Sequence, residues 1–129
     1  MRLVILLTLA LIIPTLAPAD GAIAVAMPRV DDFNQSQSQE LLTGIVTAIV
    51  VGMNCPAFAI TDGEWSLLNG TADLIANNNL GLDTDAYDAG YFNPAFALLD
   101  KPDTCAVEGP KVLPLVKFLI DLGGSTEPN

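Results

Sequence analysis

Residues 38–53, SQELLTGIVTAIVVGM, decide the fold. Leu41, Leu42, Ile45, Val46, Ile49, Val50 and Met53 recur there at steps of three and four, the spacing that stacks side chains along one side of an α-helix. Ser38 and Glu40 supply a polar first turn. The other side carries Thr43, Gly44, Thr47, Ala48 and Val51 and no charge, so this helix is expected to be covered on more than one side. A helix this apolar can also present a surface to a partner, and Leu41, Ile45 and Ile49 are its candidate contacts.

The segment Gly52 to Pro56 ends that helix and places Cys55 in the connection. Thr61-Asp62-Gly63-Glu64 is a capping box: the Thr hydroxyl and the Glu carboxylate can accept from the amides that a helix start leaves unpaired. A second helix is therefore expected from Asp62 to Asn78, with Trp65, Leu68, Ala72, Ile75 and Ala76 on one face. Trp65 reads as core there; its functional alternative is a ligand platform, which joins it to the candidate surface. Asn77-Asn78-Asn79 and Gly81 mark a turn, after which Asp83-Thr84 can cap a third helix bearing Tyr87, Tyr91 and Phe92. Asn93-Pro94 predicts a break or kink before a short helix ending at Leu99. Asp100 to Gly109 reads as a loop carrying Cys105. The last helix is expected from Pro110 or Lys111 to Leu122, with Val112, Leu115, Val116 and Leu119 inward and Gly123-Gly124 closing it. No stretch alternates apolar and polar residues long enough for a strand. The expected fold is all-α, a small bundle of four or five short helices, with an irregular lead-in over residues 20–36, a helical domain over 37–124 and a mobile tail over 125–129.

Upstream, Arg2, the apolar run Leu3 to Ile13, Pro14 and Ala17-Pro18-Ala19 have the order of an export leader, so residues 1–19 read as a signal peptide. A second small-residue site, Ala24-Val25-Ala26, would move the cut as late as residue 26. As a helix the apolar run spans roughly 16 Å, about half a bilayer's hydrocarbon core, so no stable membrane anchor is expected once the leader is removed. In the oxidising compartment outside, Cys55 and Cys105 should pair. Closing a loop of about fifty residues stabilises a fold by roughly 4 kcal/mol in the chain-entropy treatment.

Fifteen acidic residues stand against five basic ones, a net charge of −10. Such a surface repels nucleic acid and anionic lipid and admits a cation or a basic protein surface. The sequence has no histidine, which removes the usual base of serine and cysteine triads and the usual donor to zinc and haem. A hydrolase built on two carboxylates remains open chemically, but no pair is singled out. Asp83, Asp85 and Asp88, with Asn77 to Asn79 upstream, form the one constellation rich enough in oxygen for calcium. Counted from Asp83, however, the fifth, sixth and twelfth positions of an EF-hand loop fall on Tyr87, Asp88 and Pro94. The three carboxylates are read instead as cap and first-turn charges. No catalytic residue, metal or other cofactor is expected.

The run Gly52-Met53-Asn54-Cys55-Pro56, then Thr61-Asp62-Gly63-Glu64-Trp65, the segment Tyr87 to Phe96 and a second cysteine fifty residues after the first resemble small exported one-disulfide helical proteins of proteobacteria. In size, helical class and cysteine spacing the chain also resembles periplasmic acid-stress chaperones. These resemblances imply a fold and a compartment, periplasmic or secreted, and no activity. The expected function is a non-enzymatic binding or interaction protein whose partner is another exported protein. One alternative is an acid-responsive chaperone in which protonation of the carboxylates near pH 4 exposes the helix from Leu41 to Met53. The other is a calcium-binding or carboxylate-based hydrolase module on Asp83, Asp85 and Asp88.

Overall fold

Asn34 starts the longest helix. Its side chain accepts from the Gln37 amide at 2.9 Å while the Gln37 side chain accepts from the Asn34 amide at 3.0 Å, a reciprocal cap that begins α1 (Gln35–Asn54) three residues before Ser38. The computed structural model describes residues 23–129; the leader reading, residues 1–19, lies outside them. Ser38 is an interior position of α1 and is fully buried. Its hydroxyl accepts from Asn79 Nδ2 at 3.0 Å, and the same amide donates to the Val30 carbonyl at 2.8 Å.

Leu42, Ile45, Val46, Ile49, Val50 and Val51 of α1 form the centre of the core, and α2, α4, α5 and α6 all pack on this helix. Met53, grouped with the apolar stripe by its spacing, is 64% exposed. The chain leaving α1 returns over Gly52 instead: a Cβ on Gly52 would meet Ile60 at 2.7 Å, so cover at this end falls beside Met53 rather than on it.

Thr61 and Glu64 make the expected capping box, at 3.2 and 2.9 Å, and open α2 (Asp62–Leu74), which continues into a π-helical turn, Ile75–Asn79. Leu68, Ala72, Ile75 and Ala76 are buried as their spacing requires, whereas Trp65 is only half-buried at the margin. Asp83 caps α3 (Thr84–Tyr87), its side chain accepting from the Ala86 amide at 2.7 Å. Of the break or kink expected at Asn93-Pro94, the break does not occur: a second π-helical turn, Asp88–Phe92, runs directly into α4 (Asn93–Leu98). The wider turn accommodates the amide-free proline ring, and Asn93 N–H bonds to Asp88 O five residues back.

Two further expectations are corrected. Cys105 sits on a short helix, α5 (Thr104–Glu108), rather than in a loop; Thr104 is buried and its hydroxyl donates to the Leu98 carbonyl, which folds the segment back on α4. A 3₁₀ turn (Gly109–Lys111) then leads into α6 (Val112–Asp121), with Val112, Val116 and Leu119 inward. The pairing of Cys55 with Cys105, Cα atoms 5.6 Å apart, ties the end of α1 to α5.

Nor is the tail 125–129 free. The lead-in and the tail lie side by side against α2: Val25 and Pro128 form an isolated antiparallel bridge, Ser125 N donates to Ala26 O at 3.0 Å and Asn129 N to Ala24 O at 2.9 Å. Arg29 N reaches the Leu122 carbonyl at 3.0 Å. Val25, Pro28 and Val30 are buried. This clasp fits because Gly63 and Gly70, seven residues apart on α2, lack side chains: a Cβ on Gly63 would lie 1.9 Å from the Thr126 carbonyl oxygen, and one on Gly70 would lie 2.7 Å from the Met27 side chain. Leu67 and Thr71, on the side of α2 that sequence spacing left unassigned, are thereby buried. At the corner leading into the tail, Gly123 takes the left-handed φ of 106° that closes α6.

Candidate functional site

The structure divides the candidate surface. Ile45 is fully buried and Ile49 only 4% exposed, so neither can meet a partner; α1 is the centre of the bundle and its main apolar stripe is consumed by its neighbours. Trp65 is half-buried at the edge of α2. Leu41 alone lines an accessible site, a groove running along the outer side of α1 against α6.

Two adjoining hollows, of about 470 and 380 Å³, make this groove and share Glu40, Gly44 and Leu115. One continues past Thr43, Thr47 and Ala48 to Leu98, Glu108 and Lys111; the other continues past Gln37 and Leu41 to Phe33 and Phe118. Gly44 is the floor. A Cβ there would lie 4.0 Å from the nearest Leu115 methyl, an ordinary contact, so α1 and α6 come close at this point. Thr43 and Thr47 donate their hydroxyls to the carbonyls of Gln39 and Thr43 at 2.9 and 2.8 Å, which leaves their methyl groups as the surface available to a ligand. The groove is apolar along its length and charged at its edges.

Those charges are unequal. Lys111 is held by Glu108 at 3.1 Å, and Lys117 on the exposed side of α6 is held by Asp121 at 3.1 Å. Glu40 makes no ion pair among the described residues, and the exposed carboxylates of Asp31 and Asp32 precede Phe33 at the same end. The unpaired edge is therefore acidic. Leu113, Phe118 and Ile120 of α6 are 64, 43 and 42% exposed, an excess over what one buried helix face would leave. Sequence spacing assigned Leu115 to the core; α6 has apolar residues round most of its circumference, and Leu115 falls on the flank that forms the groove wall.

Asp83, Asp85 and Asp88 do not converge. Asp83 is occupied as a cap, Asp85 and Asp88 are exposed, and among the described residues no group of three acidic or cysteine side chains is placed to hold a metal ion. Beside them the Tyr87 ring packs edge-on against Phe92, centroids 5.1 Å apart, and its hydroxyl is buried without a hydrogen-bond partner. Burial raises the Tyr87 phenol well above its usual range, and the Asp73 and Asp88 carboxylates add to the effect. Burial also raises the Asp73 carboxyl. Tyr87→Phe should therefore stabilise the protein by about 1 kcal/mol in chemical unfolding at pH 7, since it removes an unsatisfied buried donor and keeps the ring. The folded state disfavours the phenolate, so the native Tyr87 contribution is intact below pH ~10 and declines as pH rises further. The variant should lose less stability than the parent above that pH; equal alkaline slopes would refute this account of Tyr87.

Comparison with protein-family models, curated proteins and solved structures returned no match. Among the described residues, no helix is long and apolar enough to cross a membrane.

Proposed function

We propose that this is an exported, non-enzymatic binding protein whose α1–α6 groove receives a basic amphipathic helix from another exported protein. The observation that carries this reading is the groove itself, an apolar trough floored by Gly44 and edged by the unpaired Glu40 carboxylate. From Gln37 to Ala48 it follows α1 for about 16 Å, three helical turns, which suits an apolar stripe of similar length. A second copy of the chain is the poorer occupant, because two strongly acidic bodies repel one another where a Lys- or Arg-rich segment is attracted. The disulfide and the leader-like segment support the exported setting.

The acid-triggered alternative is less well supported. Exposing Ile45 and Ile49 would require opening the whole core. The raised Asp73 carboxyl binds its proton more tightly in the folded than in the unfolded chain, so its contribution is greatest below pH ~3.8 and is lost as pH rises through the raised value. Acid does not unfold the protein through Asp73.

A fluorescent fourteen-residue Leu/Lys helix tests the groove, with its Leu/Glu counterpart as control. The Leu/Lys peptide should bind with a dissociation constant on the order of 10 µM at low salt, the Leu/Glu peptide should not bind, and affinity should fall as salt rises. Gly44→Trp, which fills the floor at an exposed position inside α1, should weaken binding at least tenfold without lowering the melting temperature. No binding, or equal binding to the Gly44→Trp protein, would defeat the proposal.

A further inference from the structure

We infer that the leader is removed at the bond after Ala19, not at the second small-residue site after Ala26, because residues 23–26 are structural parts of the folded protein. The inference rests on the export reading above and adds to it the processing site. Both Ala17-Pro18-Ala19 and Ala24-Val25-Ala26 offer small side chains at the positions a leader peptidase reads, and the first lies six residues beyond the apolar run that ends at Ile13. The reaction is hydrolysis of the Ala19–Asp20 amide: water adds across the bond, leaving a carboxylate on Ala19 and a free amine on Asp20.

The folded product distinguishes the two sites. A cut after Ala26 would discard Val25, which is only 6% exposed, together with its bridge to Pro128. It would also discard the carbonyls of Ala24 and Ala26, the acceptors for the Asn129 and Ser125 amides, and so release the C-terminal tail from α2. Ile23, whose amide donates to Ser66 Oγ at 3.4 Å, would go with them. The new ammonium would fall on half-buried Met27, directly before buried Pro28. A cut after Ala19 leaves all of these contacts in place.

Expression of the full chain in a Gram-negative host, followed by intact-mass analysis of the periplasmic fraction, tests the assignment. The expected species runs from Asp20 to Asn129 with both cysteines oxidised. A periplasmic product beginning at any other residue, Met27 included, overturns the inference and leaves the export reading standing; a full-length chain confined to the cytoplasm overturns both. Purified proteins starting at Asp20 and at Met27 supply a second measurement. The Met27 protein should melt roughly 10 °C lower, and equal melting temperatures would show that residues 23–26 are dispensable and refute the structural basis of the assignment.

Discussion

Replacing both cysteines, Cys55→Ala with Cys105→Ala, lowers the unfolding free energy by about 4 kcal/mol. The bridge spans 50 residues, and cutting it lets the unfolded chain explore conformations that the closed loop forbids. For a domain of ordinary stability, 5–15 kcal/mol, that is a large share. Two local features add to the loss. Cys55 is 1% exposed and caps the end of α1, so its truncation leaves a void against the core. Helix α5 has only five residues, no side-chain cap and one buried residue, Thr104, so the covalent tie is its main attachment to α1. Glu108 and Lys111, which edge the binding groove, follow Cys105 on this segment. Equilibrium unfolding in urea should show a lower midpoint together with a steeper slope, because the uncrosslinked unfolded chain exposes more surface. An unchanged midpoint would mean that packing alone sets the position of α5. The double variant should also bind the Leu/Lys helix more weakly than the parent under conditions where both remain folded.

The sequence was informative where structure is local. The three- and four-residue spacing from Leu41 to Val50 identified α1 and its buried side, and Thr61 with Glu64 identified the start of α2 to the residue. The true start of α1 carries the same kind of signal, Asn34 with Gln37, but the apolar spacing is visible only from the polar turn at Ser38 onward; that serine is buried, and Asn79, forty-one residues away, bonds to it. Pro94 marks the disturbance, and its form is a π-helical turn that absorbs the ring without ending the helix. The pairing of the lead-in with the tail had no periodicity to reveal it. Its one local trace is the seven-residue spacing of Gly63 and Gly70, which has meaning only when the segments crossing α2 are known. The groove has no signature in the sequence for a related reason. Gly44 looked like a neutral position on a covered helix, and Leu115 like an inward residue of α6; only the relative placement of the two helices turns them into a floor and a wall.

Gly63→Ala is expected to destabilise the protein by about 2–3 kcal/mol, the opposite of what helix propensity alone predicts. In an unobstructed helix, Ala is favoured over Gly by up to about 1 kcal/mol. Here the added methyl would lie 1.9 Å from the Thr126 carbonyl oxygen and 2.9 Å from its carbon, and a backbone carbonyl cannot turn aside as a side chain can. The tail must therefore lift from α2. Lifting it breaks the Ser125 hydrogen bond and the Asn129 hydrogen bond that forms the Val25–Pro128 bridge, each worth about 0.5–1.5 kcal/mol, and exposes Val25, whose burial is worth about 1.5–3 kcal/mol in full. A truncated chain ending at Gly124 separates the clash from every other effect of the substitution. In that background nothing opposes the methyl, so Gly63→Ala should be neutral or stabilising by a few tenths of a kcal/mol, and the two changes together should cost no more than truncation alone. Urea unfolding of the four proteins in this cycle measures the coupling directly. If Gly63→Ala destabilises the full-length and truncated chains equally, the tail does not rest on Gly63 and the clasp across α2 is not a stabilising element of the fold.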